Sequence, residues 1–210
     1  GVEFHPFGSY LYAYDGLNTQ LWWIKEGESF IIGNWKQVTS NGLPGGVSPY
    51  PMALFNSKLY GLYYTSSGTF EIWRSADIGN TVMNWERVVQ NSFGDPANNQ
   101  GVDIMAVFNN HIYAGTMTRT QVFGSYLGFG DGVEIWESSS GDLGTWTQVN
   151  YDGFGTEMTD PISGDTFRTN QDVGSWAVYK ASNQQQEYLY IGTMAHFGAQ
   201  IWRYDGTGKN

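Results

Sequence analysis

Two stretches of the chain gather the side chains that could do chemistry. Residues 117–131 hold Arg119, Gln121, Phe123, Tyr126, Phe129 and Asp131. Residues 151–173 hold Asp152, Phe154, Glu157, Asp160, Asp165, Arg168, Asn170 and Asp172. Aromatic rings beside carboxylates, amides and guanidinium groups suit a sugar: ring faces stack on C–H faces while the polar groups take hydroxyls. On that reading Arg119, Phe123, Tyr126, Phe129, Asp131, Phe154 and Arg168 form the ligand-binding set. The carboxylates Asp152, Asp160, Asp165 and Asp172 offer a second chemistry, since calcium takes about six to eight oxygen ligands. The plainest alternative is two solvated, Gly-rich loops whose aromatics cover a sheet edge. No residue is assigned a catalytic role. Gly-x-Ser-x-Gly, P-loop and His-Glu-x-x-His patterns do not occur. A carboxylate pair for glycoside hydrolysis would be distant in sequence and no motif marks one. His5, His111 and His196 stand without ligand-type spacing, which points to structural roles.

The elements that must position these residues recur along the chain. One motif reads Tyr10-Leu-Tyr-Ala-Tyr14, Lys58-Leu-Tyr-Gly-Leu62, His111-Ile-Tyr-Ala-Gly-Thr116 and Tyr188-Leu-Tyr-Ile-Gly-Thr193. A second follows each time: Gln20-Leu-Trp22, Glu71-Ile-Trp-Arg-Ser75, Glu134-Ile-Trp-Glu-Ser138 and Gln200-Ile-Trp-Arg203. A third, Trp-x-x-Val, follows in three copies at Trp35–Val38, Trp85–Val88 and Trp146–Val149. A fourth precedes the tyrosine motif at Met52–Asn56, Met105–Asn109 and, more loosely, Trp176–Tyr179, with Val2-Glu-Phe4 in that slot first. Each is a short apolar/polar alternation bounded by Gly, Asn, Asp or Ser, which is the strand pattern. Four strands per unit of roughly 50 residues is the size of a β-propeller blade. The expectation is an all-β fold with four four-stranded blades, near 1–48, 49–101, 102–172 and 173–210, the last lacking its outer strand. Tyr12, Tyr60, Tyr113 and Tyr190 should then be deeply buried in equivalent places, and the periodic tryptophans should pack between blades.

The spacing places the insertions. From the second-strand Tyr to the third-strand Trp the copies span 10, 13, 23 and 12 residues, and the third copy also carries the longest link to its successor. Antiparallel strands alternate in direction, so these two insertions should rise side by side on one face. Long loops in compact domains commonly carry function. The turns holding Asp77 and Asp142 should lie on the opposite face. Arg74 and Arg203 share one repeated outer-strand position, which suits surface use.

The turns Ser75-x-Asp77-x-Gly79 before Trp85 and Ser140-x-Asp142-x-Gly144 before Trp146 resemble the Asp-box of sialidase-like propellers. The spacing of the tryptophan departs from that pattern in both copies. The resemblance implies a structural turn in which the Asp accepts backbone hydrogen bonds, away from any active site. The whole repeat is also similar to repeats of exported bacterial and archaeal propeller proteins of unassigned activity. Sialidase catalysis needs three arginines gripping a carboxylate, and the five arginines here show no such arrangement. The family likeness speaks to fold more than to function.

Composition narrows the partners. Ten Lys and Arg against 20 Asp and Glu leave a formal charge of −10. Such a surface repels phosphate backbones and anionic bilayers, so nucleic acid is not an expected partner, and no apolar run approaches membrane-spanning length. Without cysteine there is no disulfide or thiolate site, which fits a prokaryotic exterior as well as a cytosol. The reading is a non-catalytic recognition or scaffold module of an exported or cell-surface protein, binding a glycan or protein ligand through the long loops. The alternatives are a glycoside hydrolase or lyase with carboxylates near the axis, and a purely structural repeat of an extracellular assembly. Fifteen strands are read where four blades need sixteen, and open sheet edges are a hazard that propellers remove by closing. The expectation is therefore that further blades of a longer polypeptide, or a partner chain, cover those edges.

Overall fold

The computed structural model describes the chain apart from residues 119–120, 123–124, 127–130, 160–163, 165, 196–197 and 208–210, and of 121, 122, 125, 126 and 195 it describes the backbone alone. Among the described residues there is no α-helix, only strands and four short 3-10 turns. The chain divides into two compact units, Gly1–Gln90 and Asn91–Asn210.

The first unit holds two antiparallel sheets. β1 (Val2–Phe7), β2 (Tyr10–Asp15), β3 (Gln20–Lys25) and β4 (Lys36–Gln37) pair in chain order. After β5 (Thr39–Asn41), the strands β6 (Tyr50–Phe55), β7 (Lys58–Tyr64), β8 (Phe70–Ser75) and, past β9 (Val82–Asn84), β10 (Glu86–Val89) build the second. β5 and β9 form a parallel pair that the strand motifs did not announce. The turn between β6 and β7 puts both Asn56 and Ser57 at positive φ, 47° and 57°, as a two-residue hairpin of matching twist requires. Tyr12, Leu21, Val38, Leu43, Leu59, Met83 and Trp85 make the core, with Trp73 packed against it.

The second unit is built on one larger sheet. β11 (Gly101–Phe108) pairs with β12 (His111–Met117). Beyond the short hairpin of β13 (Gln121–Val122) and β14 (Ser125–Tyr126), β15 (Ile135–Ser138) adds to the other side of β12, and β16 (Thr147–Gln148) adds to β15. A second hairpin, β17 (Glu157–Thr159) with β18 (Thr166–Arg168), precedes β19 (Asn170–Tyr179), β20 (Tyr188–Ala195) and β21 (Gly198–Tyr204). Only the pair Met117 opposite Asp172 joins β12 to β19, so this sheet is nearly two, of four and three strands. Its core contains Ala106, Phe108, Tyr113, Val133, Ile135, Val173, Leu189, Ile191 and Tyr204.

One register recurs. Tyr60 lies opposite Ala53 and Arg74, Tyr113 opposite Ala106 and Glu137, and Tyr190 opposite Ala177 and Arg203. Tyr12, Tyr60 and Tyr113 are buried as expected, but Tyr190 is only half-buried. The reason is the face it stands on. Ile72 and Ile135 are 0% and 3% exposed, whereas Ile201 at the matching position of β21 is 79% exposed, and Tyr179, which the register puts on the same face, is exposed too. Arg74 also departs from expectation. It is buried rather than on the surface, because Glu86 pairs with its Nε and the Tyr60 hydroxyl lies 3.3 Å from its Nη1.

Candidate functional site

The two long insertions meet at their bases. Thr118 donates through its backbone N–H and its hydroxyl to the Gln171 carbonyl, at 3.0 and 2.8 Å. Val133 N–H donates to the Asn170 carbonyl and Gly153 N–H to the Val133 carbonyl, at 2.9 and 3.0 Å. Gly132 has φ +97° and lies so close to Gly153 and Arg168 that a Cβ would fall 2.5 Å from the Gly153 nitrogen. Among its described residues each insertion contains a short antiparallel strand pair, β13 with β14 and β17 with β18. The β17–β18 hairpin turns Phe167 inward and pairs Arg168 with Glu157 at 2.7 Å.

Buried amides hold these bases. Asn170 donates to Gly153 O, Thr156 Oγ1 and Gln200 Oε1 at 3.1, 2.7 and 2.8 Å, and accepts from the Thr193 hydroxyl. Asn150 accepts the Ile135 N–H at 2.6 Å and donates to the Val133 and Tyr151 carbonyls. Asn98 accepts the Asp131 N–H at 2.7 Å and donates to the Gly132 carbonyl at 3.3 Å. The bonds to Gly153 O, Ile135 N–H, Val133 O, Tyr151 O, Asp131 N–H and Gly132 O satisfy backbone groups, each of which would cost about 1–3 kcal/mol if buried unpaired.

Beneath them lies Glu134, 6% exposed. Its Oε2 accepts from Asn99 Nδ2 at 2.6 Å and from the Trp136 indole at 2.7 Å, and Asn98 Nδ2 lies 3.5 Å from Oε1. Burial pushes this carboxyl above the usual carboxylate range. The Asn99 and Trp136 hydrogen bonds oppose the shift, while the charges of Asp152 and Asp95 reinforce it. Glu71 holds the matching place in β8 and likewise accepts from its own Trp73, but Arg87 meets it at 2.8 Å. Arg87 pairs in register with Trp73, and the residue opposite Trp136 is Gln148, which turns instead to Asp152 at 2.6 Å.

The residues expected to bind fall into three groups. Arg119, Phe123, Phe129, Asp160 and Asp165 lie outside the described residues, and of Tyr126 only the backbone is described. Asp131 is exposed and its backbone is held by Asn98, while Arg168 is half-buried beside Glu157. Phe154 is half-buried, and its ring stacks on Trp202 at 4.4 Å and 9°. Of the acidic set, Asp152 sits beside Gln148 and Asp172 is buried in β19. Among the described residues no three His, Asp or Glu side chains converge as a metal ion would need.

A further spacing, not read from the sequence, marks side chains that pack on the periodic tryptophans. Leu43, Phe93 and Phe154 each stand five residues beyond the valines Val38, Val88 and Val149. Phe93 stacks on Trp136 at 4.6 Å and 4°, as Phe154 does on Trp202, and Leu43 shares a cluster with Trp73. That spacing was available as a signal. So was the exchange of Arg87 for Gln148, which leaves Glu134 without the cation that Glu71 has.

The turn residues behave as capping groups. Asp77 Oδ2 accepts the Asn84 N–H and side-chain amide at 2.8 and 2.9 Å, which holds its carboxyl below the usual range. Ser75 Oγ accepts the Asp77 N–H, and Gly79, at φ +75°, donates its N–H to the Tyr12 hydroxyl at 3.2 Å. In the other turn the Asp142 carbonyl accepts from Thr145, Ser140 Oγ accepts the Asp142 N–H, and Gly144 is at φ +80°. Within the second unit, Ser138 pairs with Ile112 near the start of β12, so the Asp142 turn stands at the strand end opposite the one from which the β12–β15 insertion leaves.

No protein-family model matches the chain, and no curated protein matches it. Among solved structures, a chain from an S. cerevisiae complex of Dbp5 with Nup159, Gle1, IP6 and ADP is similar at 11% identity and a TM-score of 0.44. The match covers 97% of this chain and 50% of that one, so the chain spans about half the length of that structure. A superposition of that quality fixes neither fold nor function.

Proposed function

We propose that the sheets are successive blades of a β-propeller and that the chain is a non-catalytic recognition module, binding a glycan through the paired insertions of its second unit. The observation that carries the binding reading is the joining of the two insertions at a common base, through Thr118, Gln171, Val133, Gly153 and Asn170. A platform whose loops are tied together loses little conformational entropy on binding, which favours affinity. The carboxylate at its foot, Glu134, is enclosed and already hydrogen-bonded, which suits support better than proton transfer to a substrate. The net charge of −10 favours a neutral ligand over an anionic one. The recurring tyrosine register supports the propeller reading. Small-angle scattering of the full chain checks it: the profile of a flat ring or ring sector is expected, and two separated beads would contradict it. The binding reading is tested on a glycan array with the wild type and a variant in which residues 160–165 are replaced by Asn-Gly. Binding by the wild type and its loss in the variant, at unchanged melting temperature, is expected. Equal binding by both would remove the site from these loops, and capture of a protein ligand alone would replace the glycan.

A further inference from the structure

We propose that Glu134, with Asn98 and Asn99, is a proton-binding site that couples proton uptake to the anchoring of the loop ending at Asp131. The proposal rests on the loop-platform reading for its functional consequence only.

Two observations converge. The first is the enclosure of Glu134 without a cation. Asn98 and Asn99 face it from the segment before β11, Trp136 from its own strand, and Thr116 Oγ1 accepts its backbone N–H from β12. The ionised groups that act on it are Asp95 and Asp152, both anionic, with Asp131 at the end of the adjoining loop. The Arg168 head group is engaged by Glu157. The second is an orphaned acceptor: Asn99 is 0% exposed, and its Oδ1 is buried without a hydrogen-bond partner. The two ends of an amide differ only by the network they join. Turning the Asn99 amide over gives up its long 3.4 Å bond to the Ser92 carbonyl, brings its oxygen to Glu134 and needs one proton there, and that proton gives the orphaned oxygen its donor. Oε2 then accepts from Trp136 and donates to Asn99.

The contrast with β8 shows what is missing. Glu71 is met by Arg87, whereas the residue at the register position matching Arg87 in β16 is Gln148, which turns to Asp152 and brings Glu134 no cation. Proton loss leaves an uncompensated charge facing Asp95 and Asp152. Asn98 must then turn its N–H groups fully toward Oε1, and it is the residue whose Oδ1 holds the Asp131 N–H. Rising pH therefore loosens the end of the β12–β15 loop.

The test uses the full chain without ligand, so its outcome does not depend on what the loops bind. The indole N–H resonance of Trp136 is followed by NMR from about pH 5 to about pH 9, with the exchange protection of the Asp131 amide measured in parallel. Expected is one step above the ordinary carboxylate range, a several-fold fall in Asp131 protection across it, and loss of both in Glu134→Gln. Gln148→Arg supplies the cation that β8 has, and should return the step to the ordinary range. If Glu134→Gln does not fold, the wild type and Gln148→Arg decide. A Trp136 resonance that is flat over the range, a step that persists in Glu134→Gln, or Asp131 protection indifferent to the step would overturn the proposal.

Discussion

Phe154 offers a direct measure of how the tryptophans are seated. Its ring lies on Trp202 at 4.4 Å and 9°, yet its backbone is at φ 57° and ψ 29°, left-handed for a bulky residue. Two terms therefore oppose each other at one position. Truncating a half-buried Phe removes about 1.5–2 kcal/mol of apolar burial, and the stacking adds about 1 kcal/mol. Phe154→Ala loses both and keeps the left-handed cost, so it should lower stability by about 3 kcal/mol. Phe154→Gly loses the same contacts but relieves about 1–2 kcal/mol of backbone strain, offset by about 0.5–1 kcal/mol of extra chain entropy in the unfolded state. The Gly variant should thus be more stable than the Ala variant by about 0.5–1 kcal/mol, the reverse of the order in a strand or helix. Phe93, stacked on Trp136 with φ 60°, should show the same inversion. Urea unfolding, with hydrogen exchange identifying the transition of residues 91–210, measures it. A Gly variant clearly less stable than Ala, or two variants indistinguishable from the wild type, would refute the argument.

Asp77→Ala should lower the stability of the first unit by about 1 kcal/mol, the usual worth of the turn bonds it makes to Asn84. Because the Asp77 carboxyl is held down in the fold, that contribution is present above its unfolded pKa and fades as pH falls through the folded one, which denaturant titration in acid will show. For Glu134 the sign is opposite: its carboxyl is held up, so its contribution is full below the unfolded pKa and is lost as pH rises through the folded one. Stability of the wild type should therefore decline with rising pH relative to Glu134→Gln, and parallel profiles would count against it.

The strands were legible because their signals are local. Alternation around Tyr12, Tyr60, Tyr113 and Tyr190 and the bounding Asn and Gly residues place β2, β7, β12 and β20 correctly. The hairpin β17–β18 was less visible, since each strand has three residues and only Phe167 of the pair is buried. Burial was harder still. Arg74 reads as a surface residue by type, and only the three-dimensional arrival of Glu86 and the Tyr60 hydroxyl makes it a core residue. Tyr190 reads as a core residue by motif, and only the open face around Ile201 makes it a half-exposed one.

The candidate site follows the same division. The insertions are legible from spacing alone, whereas the stacking of Phe154 on Trp202 is not, because the two lie far apart along the chain. What distinguishes a support from a contact here is whether a side chain's bonding capacity is already spent. Asn150 and Asn170 spend theirs on backbone carbonyls of the insertions, and Phe154 spends a ring face on Trp202. Glu134 is hydrogen-bonded as well, but to neutral donors alone, since the register position that brings Arg87 to Glu71 holds Gln148 in β16. A scaffold alone has no use for that exchange: a Gln stands at the matching position in β3 and β21 and avoids the buried charge altogether. Retaining a carboxyl where an amide would serve makes sense if the proton itself is what the position handles.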